Sequence, residues 1–293
     1  MAGLLVAASL LAGCSSSGPA ATAPLVSRDP TPPYQRYVAL GDSYTAGPFI
    51  PTTDLAGGCL RSDHDYPSLL AARLHGSRLV DVSCSGARTR DLTHAQHPFP
   101  GARVPPQLRA LTAATDVVTV GIGGNDLDLF GTVVRTCTRL RAQDPVGAPC
   151  TQALRASGPD LDRARATIAD RVASALRAVR SRAPHARVLL VGYLRLVPDH
   201  GTCPQLPLAA GDYALARRVS ATLDRAMSAA ARRAGVEYVD MDAASRGHDV
   251  CSSDPWVNGA TTDRQRALAY HPLLSGMRAV AREVLRTLAR GVP

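Results

Sequence analysis

Four short blocks of this chain carry the residue types that ester chemistry at a serine requires. Gly41-Asp42-Ser43-Tyr44 follows the apolar run Tyr37-Val38-Ala39-Leu40. Ser85-Gly86 and Gly123-Gly124-Asn125-Asp126 each follow a β-like run of their own, and His271-Pro272 lies near the far end of the chain. A hydroxyl attacks weakly until a base takes its proton, and imidazole is the side chain suited to that task near neutral pH. The attacked carbonyl then develops a negative oxygen that needs fixed N–H donors. Ser43 is the candidate nucleophile and a histidine the candidate base. The main-chain amides of Ser43 and Gly86, with the side-chain amide of Asn125, are candidate oxyanion donors. Taken singly, Ser43 also suits a helix cap, Gly86 a plain turn and Asn125 an Asx-turn. Their order along the chain favours a site.

Such residues need elements to hold them. Apolar, mostly valine-rich runs at 36–40, 79–83, 116–121, 187–191 and 236–241 have the continuous hydrophobicity of strands covered on both faces. Between them, 160–183 repeats Ile168, Val172, Ala175, Leu176 and Val179 at helical spacing, and 212–234 and 275–290 are of the same kind. Shorter helical stretches fall at 65–74 and 106–111. The alternation predicts an α/β fold, a five-stranded parallel sheet between two helix layers. Ligands of such sheets bind beyond the carboxyl ends of the strands. Ser43, Gly86 and Asn125 follow the first, second and third strands, so all three emerge on one edge. Long loops are expected at 45–62, 93–105, 138–149, 195–211 and 243–264.

At 293 residues and 45% hydrophobic content, the chain can bury one substantial core. The formal net charge is +9, and all 33 basic residues are arginines. They are scattered along helical segments without the interleaved aromatics of a nucleic-acid groove, so a solvated surface is expected and no nucleic-acid partner.

The N-terminus reads as a targeting segment. Leu4-Leu5-Val6-Ala7-Ala8-Ser9-Leu10 is too short to span a bilayer, and Leu11-Ala12-Gly13-Cys14 resembles the lipobox of bacterial lipoproteins. Residues 1–13 are expected to be a signal peptide and 14–33 a flexible tether acylated at Cys14, leaving a domain at 34–293. The segment lacks the basic residues usual before such an apolar run. Export agrees with the remaining cysteines, Cys59, Cys84, Cys137, Cys150, Cys203 and Cys251, which permit 15 disulfide connectivities. Their spacing does not suggest zinc, and neither a metal nor a cofactor is expected.

The four blocks together resemble the SGNH (GDSL-type) hydrolases, a family of serine esterases and lipases, over nearly the whole chain from Tyr37 onward. Within that family the chain is similar to the secreted, disulfide-bridged actinobacterial lipases. Tyr193, Pro198, Cys203, the run Pro207-Leu208-Ala209-Ala210-Gly211-Asp212-Tyr213 and Pro255-Trp256-Val257-Asn258-Gly259 carry that likeness. The resemblance implies a flavodoxin-like three-layer sandwich and the pairs Cys59–Cys84, Cys137–Cys150 and Cys203–Cys251. It also selects His271, with an ordinary pKa near ~6.5, over His64, His75, His94, His97, His185, His200 and His248. Many relatives hold an aspartate three residues before this histidine, where Leu268 stands here. A Ser43–His271 dyad with its imidazole donating to a backbone carbonyl near Leu268 is therefore expected. The rival is a triad completed by Asp249, Asp254 or Asp263.

The expected function is an exported or envelope-anchored monomeric enzyme that hydrolyses carboxylic esters through an acyl-enzyme on Ser43. The alternatives are a carbohydrate O-deacetylase of the same fold and a non-catalytic solute-binding lipoprotein. Thr45-Ala46-Gly47-Pro48-Phe49-Ile50 and the loop holding Trp256 either line an acyl pocket or simply pack against the sheet edge.

Overall fold

The computed structural model describes residues 34–98 and 103–290. The leader, Cys14 and the tether lie outside the described residues. Five strands, β1 (Arg36–Gly41), β2 (Arg78–Asp81), β3 (Val117–Gly121), β4 (Arg187–Val191) and β5 (Glu237–Val239), form one sheet in the order β2-β1-β3-β4-β5. Every pairing is parallel. All of β3 and all but the first residue of β1 are buried, as their unbroken apolar runs require. The edge strands β2 and β5 are only half-buried.

The helices are α1 (Ser43–Ala46), α2 (Tyr66–Ala71), α3 (Leu129–Leu140), α4 (Pro149–Ser157), α5 (Leu161–Arg182), α6 (Tyr213–Ala234), α7 (Met241–Ala244) and α8 (Leu274–Ala289). The chain winds from β1 outward to β2, and from β3 outward through β4 to β5. Right-handed crossovers therefore put α2 on one face and α5 and α6 on the other. Tight α5–α6 and α2–α8 packing completes a three-layer sandwich. Local signals set the boundaries of the long helices. Asp160 caps α5 by accepting from the Asp162 and Arg163 amides, and Gly235 ends α6 at φ 62°.

The second strand ends at Asp81 rather than 83, and the helix expected at 65–74 ends at Ala71. The sequence reading differs from the structure at three further places. The last strand is shorter than 236–241, because Met241 already begins α7 behind the cap of Asp240. The stretch 106–111 forms a single 3-10 turn, Gln107–Ala110. Between β3 and α5, two helices stand where none was expected, and the ends of 138–149 are helical rather than loop. No side chain caps α3, whose preceding residue Asp128 is left-handed at φ 50°. The cap of α4 comes from 61 residues away, where buried Asp212 accepts from the Thr151 amide (2.8 Å) and hydroxyl (2.7 Å). The local start signal of α4 is Pro149 at its first position, while α3 has no side-chain cap.

Of the three disulfides, Cys59–Cys84 and Cys203–Cys251 tie loop segments and Cys137–Cys150 ties α3 to α4. They are the pairs implied by the family likeness.

Candidate active site

The carboxyl ends of β1 and β3 lie side by side, with Gly41 opposite Gly121, and this is where strand order reverses. Such a switch point opens a crevice above the sheet. A Cβ on Gly41 would fall 2.1 Å from the Thr45 hydroxyl and 2.8 Å from the Gly121 carbonyl. Only glycine lets the chain turn from strand into α1 so abruptly. Asp42 caps that turn by accepting from the Tyr44 amide at 2.9 Å. Ser43 is thereby held at the first helical position, 7% exposed. Its amide is one of those that a helix start leaves without an internal partner.

The second and third turns close around it. Gly86 takes φ 77° in a turn closed by the Ala87 amide on the Cys84 carbonyl, and Cys84 is tied to Cys59. The Asn125 side chain donates one N–H to the Ala87 carbonyl at 3.0 Å, which leaves its second N–H for a ligand. Asp126 accepts from the Thr89 amide and hydroxyl at 2.8 and 2.6 Å, clamping the two turns together. Among the described residues, no protein acceptor engages the amides of Ser43 or Gly86.

His271 reaches the same point from the far end of the chain. Ser43 Oγ donates to its Nε2 at 2.8 Å, and its Nδ1–H donates to the Ala269 carbonyl at 2.8 Å. The expected carbonyl at Leu268 is corrected by one residue. The Leu268 oxygen is occupied by the His271 amide (3.2 Å) and the Asn258 side chain (3.2 Å), which fold the loop so that the next carbonyl meets the ring. Tyr270 takes φ 61° to complete that bend. Burial pushes the His271 pKa down to about 4, against a smaller opposing effect of the Ala269 hydrogen bond. The ordinary imidazole value expected from sequence does not hold.

The aspartates considered as third members bond elsewhere. Asp249 accepts from the Cys251 amide and Asp263 from the Gln265 amide, while Asp254 lies 3.2 Å from His248. Among the described residues, no carboxylate bonds His271. His248 itself stacks on Trp256 at 3.8 Å.

A cavity of about 280 Å³ opens beside the Ser43–His271 pair. Leu129, Phe130 and Val134 of α3, Ile168 of α5, Val219 and Leu223 of α6, and Leu196 make most of its wall apolar. Thr45, Ile50 and Trp256 are absent from that wall. Thr45 and Ile50 pack inside the domain instead, and the Arg282 guanidinium lies 5.8 Å over the Trp256 ring. The pocket-lining role of α3 was missed with the helix itself. The repeat of Leu129, Val133 and Cys137 was the available signal, since all three are buried at intervals of four.

A serine hydroxyl paired with an imidazole, beneath open amides at the switch point of a 2-1-3-4-5 parallel sheet, is the arrangement expected of the SGNH hydrolases. Comparison with known proteins agrees. The model of the GDSL-like Lipase/Acylhydrolase family matches residues 39–279. The chain is 39% identical over 259 residues to lipase 2 of Streptomyces coelicolor, spanning 86% of this chain and 85% of that protein. Its fold superposes at TM-score 0.69 on phospholipase A1 of Streptomyces albidoflavus (30% identity; 87% and 99% of the two chains). It superposes equally at 0.69 on the extracellular lipase of Streptomyces rimosus (30% identity; 86% and 99%). The chain belongs to the GDSL-like lipase/acylhydrolase family and is a carboxylic ester hydrolase of the lipase/esterase class. The solute-binding alternative is thereby set aside.

Proposed function

We propose that Ser43 is the nucleophile of a two-step ester hydrolysis, His271 its general base, and Ser43 N, Gly86 N and Asn125 Nδ2 the oxyanion donors. The observation that carries this is the 2.8 Å hydrogen bond from Ser43 Oγ to His271 Nε2. In the first step the serine oxygen adds to the ester carbonyl while its proton passes to Nε2. The tetrahedral oxyanion meets the three N–H groups. Its collapse breaks the bond to the alkoxide, which takes the proton from Nε2 and leaves as the alcohol. Water then adds to the acyl-enzyme, again giving its proton to Nε2, and the acid departs as Ser43 recovers its hydrogen. Throughout, the Ala269 carbonyl holds Nδ1–H and so fixes the tautomer that presents Nε2 as acceptor.

The apolar cavity beside the pair suits the acyl part of a lipid ester, and the phospholipase A1 of Streptomyces albidoflavus supports that substrate class. The three disulfides support an exported enzyme. The Leu11-Ala12-Gly13-Cys14 motif supports anchoring through an acylated Cys14, ahead of a catalytic domain at 34–293.

Fluorophosphonate labelling tests the assignment. One adduct per chain is expected, on the peptide containing Ser43, in folded protein and not after denaturation. An adduct on another serine, or none in protein that turns over p-nitrophenyl esters, would sink it.

The base carries its own expectation. Only neutral imidazole accepts the serine proton, so protonation of the ring removes the base as pH falls through the His271 pKa. The His271 ring resonance, followed by NMR in histidine-labelled protein, should titrate near pH 4. A midpoint at the ordinary ~6.5 would mean that burial does not govern the ring.

A further inference from the structure

Four segments bring the reacting groups together, and the contacts described so far leave one joint between them open. The Asn125–Ala87 and Asp126–Thr89 bonds join the turns after β2 and β3. Asn258 and Pro48 hold the histidine loop. The nucleophile turn after β1 must also be held against the Asn125 turn after β3, because one tetrahedral carbon has to meet Ser43 Oγ and Asn125 Nδ2 at once.

Tyr193, just beyond β4, occupies that joint. Its hydroxyl donates to Asp42 Oδ2 at 2.5 Å and accepts from the Gly124 amide at 2.8 Å. Asp42 immediately precedes Ser43, and Gly124 immediately precedes Asn125. A Cβ on Gly124 would lie 2.9 Å from that hydroxyl, so the turn is built to admit the phenol. The ring stands edge-on to Tyr44 with centroids 5.1 Å apart, and Tyr44 in turn donates to the Tyr270 carbonyl at 2.6 Å, next to His271. A phenol hydroxyl is suited to this place because it both donates and accepts.

We propose that Tyr193 is a positioning residue whose hydroxyl locks the Asp42–Ser43 turn to the Gly124–Asn125 turn, so that nucleophile and oxyanion amide address the same carbon. The proposal rests on the assignment of Ser43 and Asn125 made above. Asp42 is the group through which Tyr193 acts. Its carboxyl is buried, and burial raises its pKa to about 7, with the Tyr193 and Tyr44 hydrogen bonds opposing and Asp126 adding to the rise. The charged and titratable groups facing it are Tyr193, Tyr44 and Asp126. When Asp42 takes up a proton it no longer requires the Tyr193 hydrogen, and the joint loosens.

The test is a double-mutant cycle on the full chain. Tyr193→Phe keeps the ring packing and removes the hydroxyl. It should lower kcat for a p-nitrophenyl ester by about ten- to a hundredfold, the scale of a small misplacement of reacting groups, while KM stays within about twofold. Losing a hydrogen bond to a carboxylate should also raise the Asp42 pKa, moving the limb of kcat/KM that Asp42 adds above that of His271 upward from near pH 7 by about one unit. Asp42→Asn should abolish that limb, and in its background Tyr193→Phe should cost less than about threefold, since contacts of one network do not add. An equal loss in both backgrounds, a loss in KM alone, or an unchanged kcat overturns the proposal. Should Tyr193→Phe not fold, Asp42→Asn decides: kcat about tenfold down with the limb gone supports the joint, and a wild-type profile overturns it. Fluorophosphonate labelling of Ser43 in the parent separates the two claims, since its failure defeats the active-site assignment and not the cycle.

Discussion

Ser43→Ala protein is expected to fold as the parent does and to lose about four to six orders of magnitude in kcat toward p-nitrophenyl esters. The argument is chemical. Without Oγ no acyl-enzyme forms, and the residual rate is that of water attacking an ester held by the oxyanion donors. Burial does not oppose the change, because the serine side chain makes one hydrogen bond, to His271, and its removal leaves a partly buried neutral ring rather than a stranded charge. The informative part is the comparison with His271→Ala and with the double variant. Two residues that pass one proton act as a unit, so all three proteins should fall to about the same residual rate. If the double variant is slower than either single by the product of their losses, Ser43 and His271 work independently and the dyad is wrong. If His271→Ala keeps more than about 1% of parental kcat, another group supplies the base.

The fold was legible where sequence signals are local. Strand β4 was read to the residue, and α5 and α6 were bounded by Asp160 and Gly235, whose capping chemistry involves only neighbours in the chain. Pro149 marks the start of α4 locally, but the carboxylate that caps it belongs to Asp212 and is not legible from neighbours in the chain. The site divides in the same way. Ser43, Gly86 and Asn125 follow strands directly, so strand order alone puts them on one edge. The carbonyl that faces the imidazole depends on a left-handed Tyr270 and on Asn258 occupying Leu268, contacts that spacing does not encode. Tyr193 is of the same kind. The family likeness singled out Tyr193 without a role for it, and its meaning comes from Asp42, 151 positions earlier. Burial of the His271 ring is likewise a tertiary property, which is why its lowered pKa could not be anticipated from an isolated imidazole.

Asn125→Ala should lower kcat by about a hundred- to a thousandfold with KM within a few-fold, the usual cost of removing one oxyanion donor. The side chain has two N–H groups, and the bond to the Ala87 carbonyl uses one. The alanine variant therefore removes a donor to the transition state and an anchor between two turns together. Asn125→Asp distinguishes these losses. It keeps the size of the side chain but offers acceptors to both the Ala87 carbonyl and the developing oxyanion, so it should be worse than alanine if electrostatic stabilisation dominates. If anchoring dominates, both variants should lose labelling by fluorophosphonate and affinity for substrate in parallel. A boronic acid that forms a tetrahedral adduct on Ser43 gives the sharper measure. An interaction made only in the transition state weakens binding of such an analogue by the same factor as it lowers kcat/KM. Equal factors for the two quantities across alanine and aspartate would assign Asn125 Nδ2 to the oxyanion. A boronate affinity unchanged while kcat/KM falls would assign it to loop geometry, and the oxyanion hole would then consist of the Ser43 and Gly86 amides alone.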